Sequence, residues 1–285
     1  MTAAGPVALA LHGGAGRRVK PDYERERLFA AELAGRAWRD LADGCSALDV
    51  VAEAVRALEL SGFFMAGRGA RPGGSGLYEL DAAIMDGPTR RAGAVAALQG
   101  FESPISVARE VMTHTPHVLL AGAGAADFAR GRGLAGISDE AAWYVGADAC
   151  EPDHGTVGCV ALDGDGRMAA ATSTAGVRDK LWGRVGDSPL IGAGTWADQT
   201  AAISCTGLGE AFIRASAASQ LAFRMRLAGQ ALAPAADAVL DEVEALGGRG
   251  GLIALNRDGA VVTPFNAQFM ALAAVGPDGQ VRAAC

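Results

Sequence analysis

The residues with the most chemical potential sit where a segment of weak periodicity meets a strongly apolar strand: Asp153-His154-Gly155-Thr156-Val157-Gly158-Cys159-Val160-Ala161-Leu162-Asp163. A threonine that opens a strand is ordinarily there for its β-branched shape. It can also be a nucleophile, once a base takes the proton from its hydroxyl. A free α-amine on the same residue is such a base, because its pKa lies near neutrality. That amine exists only if the chain is cut before Thr156. Three further segments carry polar groups that could serve such a centre: Thr172-Ser173-Thr174 at the end of the next apolar run, Arg184-Val185-Gly186-Asp187-Ser188-Pro189, and Cys205-Thr206-Gly207-Leu208-Gly209-Glu210.

Taken in order with His12-Gly13-Gly14-Ala15-Gly16 and with Glu79-Leu80-Asp81-Ala82-Ala83-Ile84-Met85-Asp86-Gly87, these segments resemble the plant-type asparaginase/isoaspartyl peptidase family of N-terminal-nucleophile hydrolases. The resemblance runs over nearly the whole chain and is weakest over residues 123–150. It implies a four-layer αββα sandwich and self-cleavage between Gly155 and Thr156. The products would be an α subunit, 1–155, and a β subunit, 156–285, of a single domain. Thr156 would attack the Gly155 carbonyl, an N-to-O acyl shift would follow, and water would hydrolyse the ester. A glycine before the nucleophile tolerates the strained backbone that drives this shift. Thr174 would then orient Thr156, and Thr206 with the Gly207 amide would form the oxyanion hole. Arg184 would hold the substrate α-carboxylate and Asp187 its α-ammonium, a clamp for an aspartyl group. The plain alternative for the last two is a surface salt bridge of little value. The implied substrates are L-asparagine and β-aspartyl dipeptides, with no cofactor for catalysis and a homodimer of processed αβ units as the assembly. A glycosylasparaginase-like amidase and an uncut, latent member of the fold are the competing readings.

The stretch Leu58-Glu59-Leu60-Ser61-Gly62-Phe63-Phe64-Met65-Ala66-Gly67-Arg68-Gly69 resembles the family's sodium loop. Backbone carbonyls of Leu58, Glu59, Ser61, Phe64, Ala66 and Arg68 would ligate a structural sodium ion. Carbonyl ligation barely constrains side-chain type. The loop also holds the main departure from the family: Met65 stands where relatives carry an asparagine, and a thioether offers only a weak acceptor. This motivates the latent reading. Ala175, where close relatives have glycine, is a second departure, and its methyl is expected to narrow the pocket.

These residues need a scaffold. Strands are expected at Pro6–Leu11, Leu80–Met85, Ala92–Leu98, Val118–Leu120, Val157–Leu162, Met168–Thr174, Ala201–Cys205, Leu252–Asn256, Ala260–Val262 and Phe269–Val275. A glycine turn at His12–Gly16 follows the first. Helices are expected over Asp22–Asp43, from an N-cap at Ser46, from Pro104, over Glu210–Leu227 and over Pro234–Leu246. Residues 123–155 read as a weak helix followed by an exposed linker. With 285 residues, half of them apolar and 40 glycines, the chain can bury a large core without staples. The net charge of −7 argues against a nucleic-acid partner. No apolar run suffices for a membrane span or an export signal, and the five cysteines lack a CxxC pair, so a reduced, cytoplasmic protein is expected. The four histidines include His114-x-x-His117, with His12 and His154 elsewhere, but Pro116 breaks the helix that would align the pair, so no zinc site is expected.

Overall fold

A computed structural model describes residues 5–17, 22–145 and 154–285. The elements are β1 (Ala8–Gly16), α1 (Glu24–Ala42), α2 (Ala47–Ser61), β2 (Leu80–Asp86), β3 (Ala92–Leu98), α3 (Pro104–His114), β4 (Leu119–Ala121), α4 (Gly122–Gly131), α5 (Glu140–Trp143), β5 (His154–Leu162), β6 (Met168–Val177), β7 (Thr195–Ala197), β8 (Ala201–Gly207), α6 (Gly209–Ala215), α7 (Ala217–Ala228), α8 (Leu232–Ala245), β9 (Gly250–Asn256), β10 (Val261–Val262), β11 (Phe269–Val275) and β12 (Val281–Ala284). The strands form an eight-stranded sheet, β12-β11-β1-β5-β6-β2-β3-β4, and a four-stranded sheet, β10-β9-β8-β7.

Side chains of a strand alternate between its faces, and here each face has its own core. Leu9 and Leu11 of β1 with Val157, Cys159 and Ala161 of β5 pack against α1, α2 and α3. Ala10, Val160, Leu162, Met168 and Ala170 point the other way and meet Ala202, Ile253 and Leu255 of the small sheet. The outer face of that sheet, Ala201, Ile203 and Cys205, is covered by α6, α7 and α8. Helices, sheet, sheet and helices therefore stack as the expected four-layer αββα sandwich. Burial fits the role of Cys159 and Cys205 as space-fillers: both are fully buried, and burial pushes both thiols far above the usual range.

Several boundaries differ from the sequence expectation. The glycine stretch His12–Gly16 is not a turn but the end of β1, which carries a bulge between His12 and Ala15. The expected helix over 210–227 is two helices, broken at Ser216, whose φ of 49° is left-handed. The expected weak helix is α4, and residues 132–145 after it are mostly exposed, with Tyr144 buried. Ala125, Ala126 and Ala129 of α4 are buried, and Tyr144 stacks on Tyr78 with ring centroids 3.7 Å apart. The remaining linker residues, 146–153, lie outside the described residues, as does the side chain of His154. Ser46 caps α2 by accepting from the Asp49 amide at 3.1 Å, and Pro104 opens α3, both as expected. No helix among the described residues is long and apolar enough to cross a membrane.

Candidate active site

The site lies where the apolar lining between the two sheets gives way to hydroxyls. Stepping by two from Leu162 and Val160 along β5 leads to Gly158 and Thr156. The same step from Met168 and Ala170 along β6 leads to Thr172 and Thr174, and from Ala202 along β8 to Ser204 and Thr206. Thr156 pairs with Thr174 across the ladder, next to a register shift at Gly155. Its hydroxyl donates to Thr174 Oγ1 at 3.1 Å. Thr174 in turn donates to the carbonyl oxygen of Gly155 at 2.6 Å and accepts from the Gly176 amide at 2.9 Å. One hydroxyl thus bridges the Thr156 hydroxyl and the carbonyl of the peptide bond before it.

The bulge of β1 closes the site. Gly14, at φ 107°, turns its Cα toward Thr156, and a side chain there would stand 3.3 Å from the Thr156 nitrogen. The next amide, of Ala15, donates to Thr206 Oγ1 at 3.1 Å. Because Thr206 accepts that bond, its own proton remains available as a donor.

A second polar network went unseen in the sequence, where His12 figured as part of a glycine turn and as a metal-ligand candidate. Its Nδ1 lies 3.0 Å from the Thr156 carbonyl oxygen and its Nε2 2.9 Å from Ser204 Oγ. A carbonyl can only accept, so Nδ1 carries the proton and Nε2 accepts from Ser204. Ser204 then accepts from Thr172 at 2.7 Å, and Thr172 from Thr195 at 2.7 Å. Burial pushes the imidazole down to about 3, against the opposing bond to Thr156, so the ring stays neutral. Gly158 makes room for this passage: a side chain there would overlap Ser204 Oγ and His12 Nε2.

Arg184 and Asp187 converge. A side chain at Gly209 would meet Arg184 Nη2 at 3.0 Å and Asp187 Oδ1 at 2.9 Å. They do not pair with each other as a surface bridge. Arg184 is held by Glu210 through Nε and Nη2, both at 2.9 Å, with its Nη1 edge turned toward Gly176 and Gly186. Asp187 is 3% exposed, and its Oδ2 has no hydrogen-bond partner. Burial raises its carboxyl to about 7, a shift that the nearby Arg184 only partly opposes. Lys180, the one lysine among the described residues, is buried alongside and donates to the Glu79 carbonyl at 2.7 Å. Burial lowers its pKa.

With its carboxyl raised to about 7, Asp187 gains charge as pH rises through neutrality. A carboxylate attracts an ammonium ion and a neutral acid does not, so L-aspartate should bind more tightly as pH rises from 6 to 8. The ligand's ammonium keeps its charge throughout this range. Inhibition constants measured across it should fall by up to about tenfold per unit below the midpoint. Asp187→Asn should flatten the profile, and an equally steep profile in that variant would exclude Asp187 as its source.

The loop 58–69 stands apart from the threonines except at Met65. Leu58 O accepts from Ser61 Oγ at 2.7 Å, Phe64 O from the Ala66 amide at 2.7 Å, Ala66 O from Gly69 at 3.2 Å and Arg68 O from Val145 at 3.2 Å. Each of these carbonyls keeps a second lone pair for a cation. The Glu59 side chain turns away to accept from Ser103 Oγ and the Ile105 amide at the start of α3, where burial raises it to about 7. Among the described residues no group of three or more His, Cys, Asp or Glu could hold a metal. Met65 packs directly against Gly155, its Cγ 3.0 Å from where a Gly155 side chain would begin. Its carbonyl accepts from the Ala175 amide at 2.9 Å. The Ala175 methyl packs with Ala70, Leu80 and Tyr144, on the face opposite Thr174, so it does not narrow the pocket.

Sequence comparison agrees with this geometry. The sequence model of the asparaginase family matches residues 5–144 and 138–283. The isoaspartyl peptidase of Escherichia coli K12 is 44% identical over 296 residues, covering 93% of this chain and 92% of that protein. A probable isoaspartyl peptidase/L-asparaginase 2 of Arabidopsis thaliana is 38% identical over 323 residues, covering 96% and 97%. A plant-type L-asparaginase of Pyrococcus furiosus is 40% identical over 296 residues, covering 94% and 95%. Matched along nearly its whole length, the chain belongs to the asparaginase family.

Proposed function

We propose that this chain is an amidohydrolase that cuts itself between Gly155 and Thr156 and then releases aspartate from L-asparagine and β-aspartyl dipeptides. The observation that carries this reading is the pair of bonds at Thr174, which joins the Thr156 hydroxyl to the carbonyl of the bond before it. In self-cleavage Thr156 Oγ1 attacks the Gly155 carbonyl carbon, whose oxygen Thr174 polarises. The C–N bond breaks as the new ester forms, the hydroxyl proton ends on the freed Thr156 nitrogen, and water hydrolyses the ester to the Gly155 carboxylate and the Thr156 hydroxyl. In turnover the freed amine of Thr156 takes the proton of Oγ1 as the oxygen attacks the side-chain amide carbon of the substrate. Thr206 and the Gly207 amide face the oxyanion, while Arg184 and Asp187 hold the aspartyl zwitterion. The amine then protonates the leaving nitrogen, and water releases aspartate from the acyl ester. The names of the relatives, isoaspartyl peptidase and L-asparaginase, support this substrate class. Mass spectrometry of purified protein should find fragments of 155 and 130 residues, and aspartate should form from both substrates. A whole chain that hydrolyses neither would favour the latent reading.

Met65 bears on the rate of the first step. Its Cβ and Cγ pack on Gly155, and an amide on that side chain could donate to the developing charge. Met65→Asn should speed maturation, each 1.4 kcal/mol recovered being about tenfold. An unpaired buried amide would instead destabilise the loop by about 1–3 kcal/mol. Time courses of precursor loss decide, and equal rates would make the methionine harmless. A sodium ion on the carbonyls of Leu58, Glu59, Ser61, Phe64, Ala66 and Arg68 would brace this loop and enter no step. In that case both proteins lose thermal stability when choline replaces sodium.

A further inference from the structure

We propose that His12 is a positioning residue: its imidazole takes the carbonyl of Thr156 where the neighbouring strand has drawn away, and so keeps the nucleophile aimed once the bond to Gly155 is cut. The inference rests on the amidohydrolase reading. Cleavage turns Thr156 from a residue within a strand into the first residue of a chain, and first residues are poorly ordered unless something ties them down. Strand pairing gives little help here. The β1–β5 ladder runs from Ala8 opposite Leu162 to His12 opposite Gly158 and ends there. β1 then bulges between His12 and Ala15. On the other side, the β5–β6 register shifts between Gly155 and Thr156. The nitrogen and the carbonyl oxygen of Thr156 both face the bulge, since a side chain at Gly14 would stand 3.3 Å from one and 3.5 Å from the other.

The side chain of His12 spans this gap. Its Nδ1 donates to the Thr156 carbonyl at 3.0 Å. That carbonyl carbon is bonded to the Cα that carries the α-amine and, through Cβ, Oγ1. Fixing it therefore limits where both reacting atoms can go. The ring is itself held in place. Nε2 accepts from Ser204 of β8, Ser204 from Thr172 of β6 and Thr172 from Thr195 of β7, and all four residues are fully buried. The nucleophile is thus braced from the second sheet and from two neighbouring strands, none of which is cut. An imidazole suits the task because it is a rigid plate with a donor on one edge and an acceptor on the other. Burial keeps the ring neutral near pH 7, so both edges retain their roles.

Two substitutions separate the edges of the ring. In His12→Asn the amide nitrogen falls near the place of Nδ1 and can still donate to the carbonyl. In His12→Gln it falls near the place of Nε2 and cannot. With L-asparagine, His12→Gln should lower kcat of the matured enzyme about 100-fold, the scale of an ångström of misplacement, and His12→Asn by no more than about tenfold. KM should stay within about threefold of wild type in both, because Arg184 and Asp187 hold the substrate independently. A ring that only filled space would give no such order, and a kcat in His12→Gln equal to or above that in His12→Asn overturns the positioning role. A measurement on the wild type covers variants that fail to fold or mature. In protein labelled with ¹⁵N-histidine, Nδ1 of His12 should carry a proton at pH 7, and a bare Nδ1 overturns the grip on the carbonyl. If either result goes against His12 while wild type hydrolyses L-asparagine, this inference fails alone. If wild type hydrolyses neither L-asparagine nor β-aspartyl dipeptides, the amidohydrolase reading fails and takes the positioning role with it.

Discussion

Thr156→Ala should leave the 285-residue chain whole and reduce hydrolysis of L-asparagine and β-aspartyl dipeptides by at least about 10⁴-fold. The expectation combines two losses. Without Oγ1 nothing attacks the Gly155 carbonyl, so the α-amine that would act as base is never released. Without Oγ1 there is also no nucleophile for substrate. The fold should survive. Thr156 is 5% exposed, and alanine keeps its Cβ while removing one hydroxyl, whose partner Thr174 retains the Gly155 carbonyl and the Gly176 amide. Thermal unfolding within a few degrees of the wild-type precursor would confirm that the loss is chemical. Thr156→Ser should restore cleavage, because serine supplies the same oxygen. A Thr156→Ala protein that matures into two fragments would separate cleavage from the hydroxyl and remove the basis of the mechanism.

The strands β5, β6 and β8 were legible in the sequence as short apolar runs, and Thr156, Thr174 and Thr206 stood out through the family resemblance of the segments that hold them. Other parts depend on juxtapositions that no local pattern encodes. His12 read as one residue of a glycine-rich turn, since glycines are the strongest turn signal. In the fold those glycines let β1 bulge against Thr156 and Thr206, and the ring of His12 crosses between the sheets to Ser204. The chain from Thr195 through Thr172 and Ser204 draws on β7, β6 and β8. β7 itself, three residues long between glycines and a turn, carried no strand signal of its own. The split between α6 and α7 was hidden because Ser216 sits in a stretch whose composition suits one helix, while its left-handed backbone is imposed by packing. Alanine-rich α4 shows little hydrophobic contrast, which is why its pattern marks only a weak helix, yet Ala125, Ala126 and Ala129 are buried.

Arg184→Ala should lower kcat/KM for L-asparagine and β-aspartyl dipeptides by about 30-fold to several thousand-fold, corresponding to about 2–5 kcal/mol for truncating one side of a desolvated, hydrogen-bonded charge pair. The surroundings of this arginine support the proposed role. Glu210 takes its Nε and Nη2 atoms, which fixes the plane of the guanidinium, while Nη1 points to Gly176 and Gly186, where side chains are absent. The ion pair with Glu210 thus leaves Nη1 outside it, as the proposed clamp requires. Arg184→Lys should fall nearly as far, because a point charge cannot both engage Glu210 through two atoms and offer a third to substrate. The discriminating measurement uses a β-aspartyl substrate whose α-carboxylate is converted to an amide. Wild type should handle it poorly, and Arg184→Ala should be little worse, since the lost partner is already missing. If Arg184→Ala instead depresses the free and amidated substrates by the same factor, Arg184 supports the loop around Asp187 and does not grip the carboxylate.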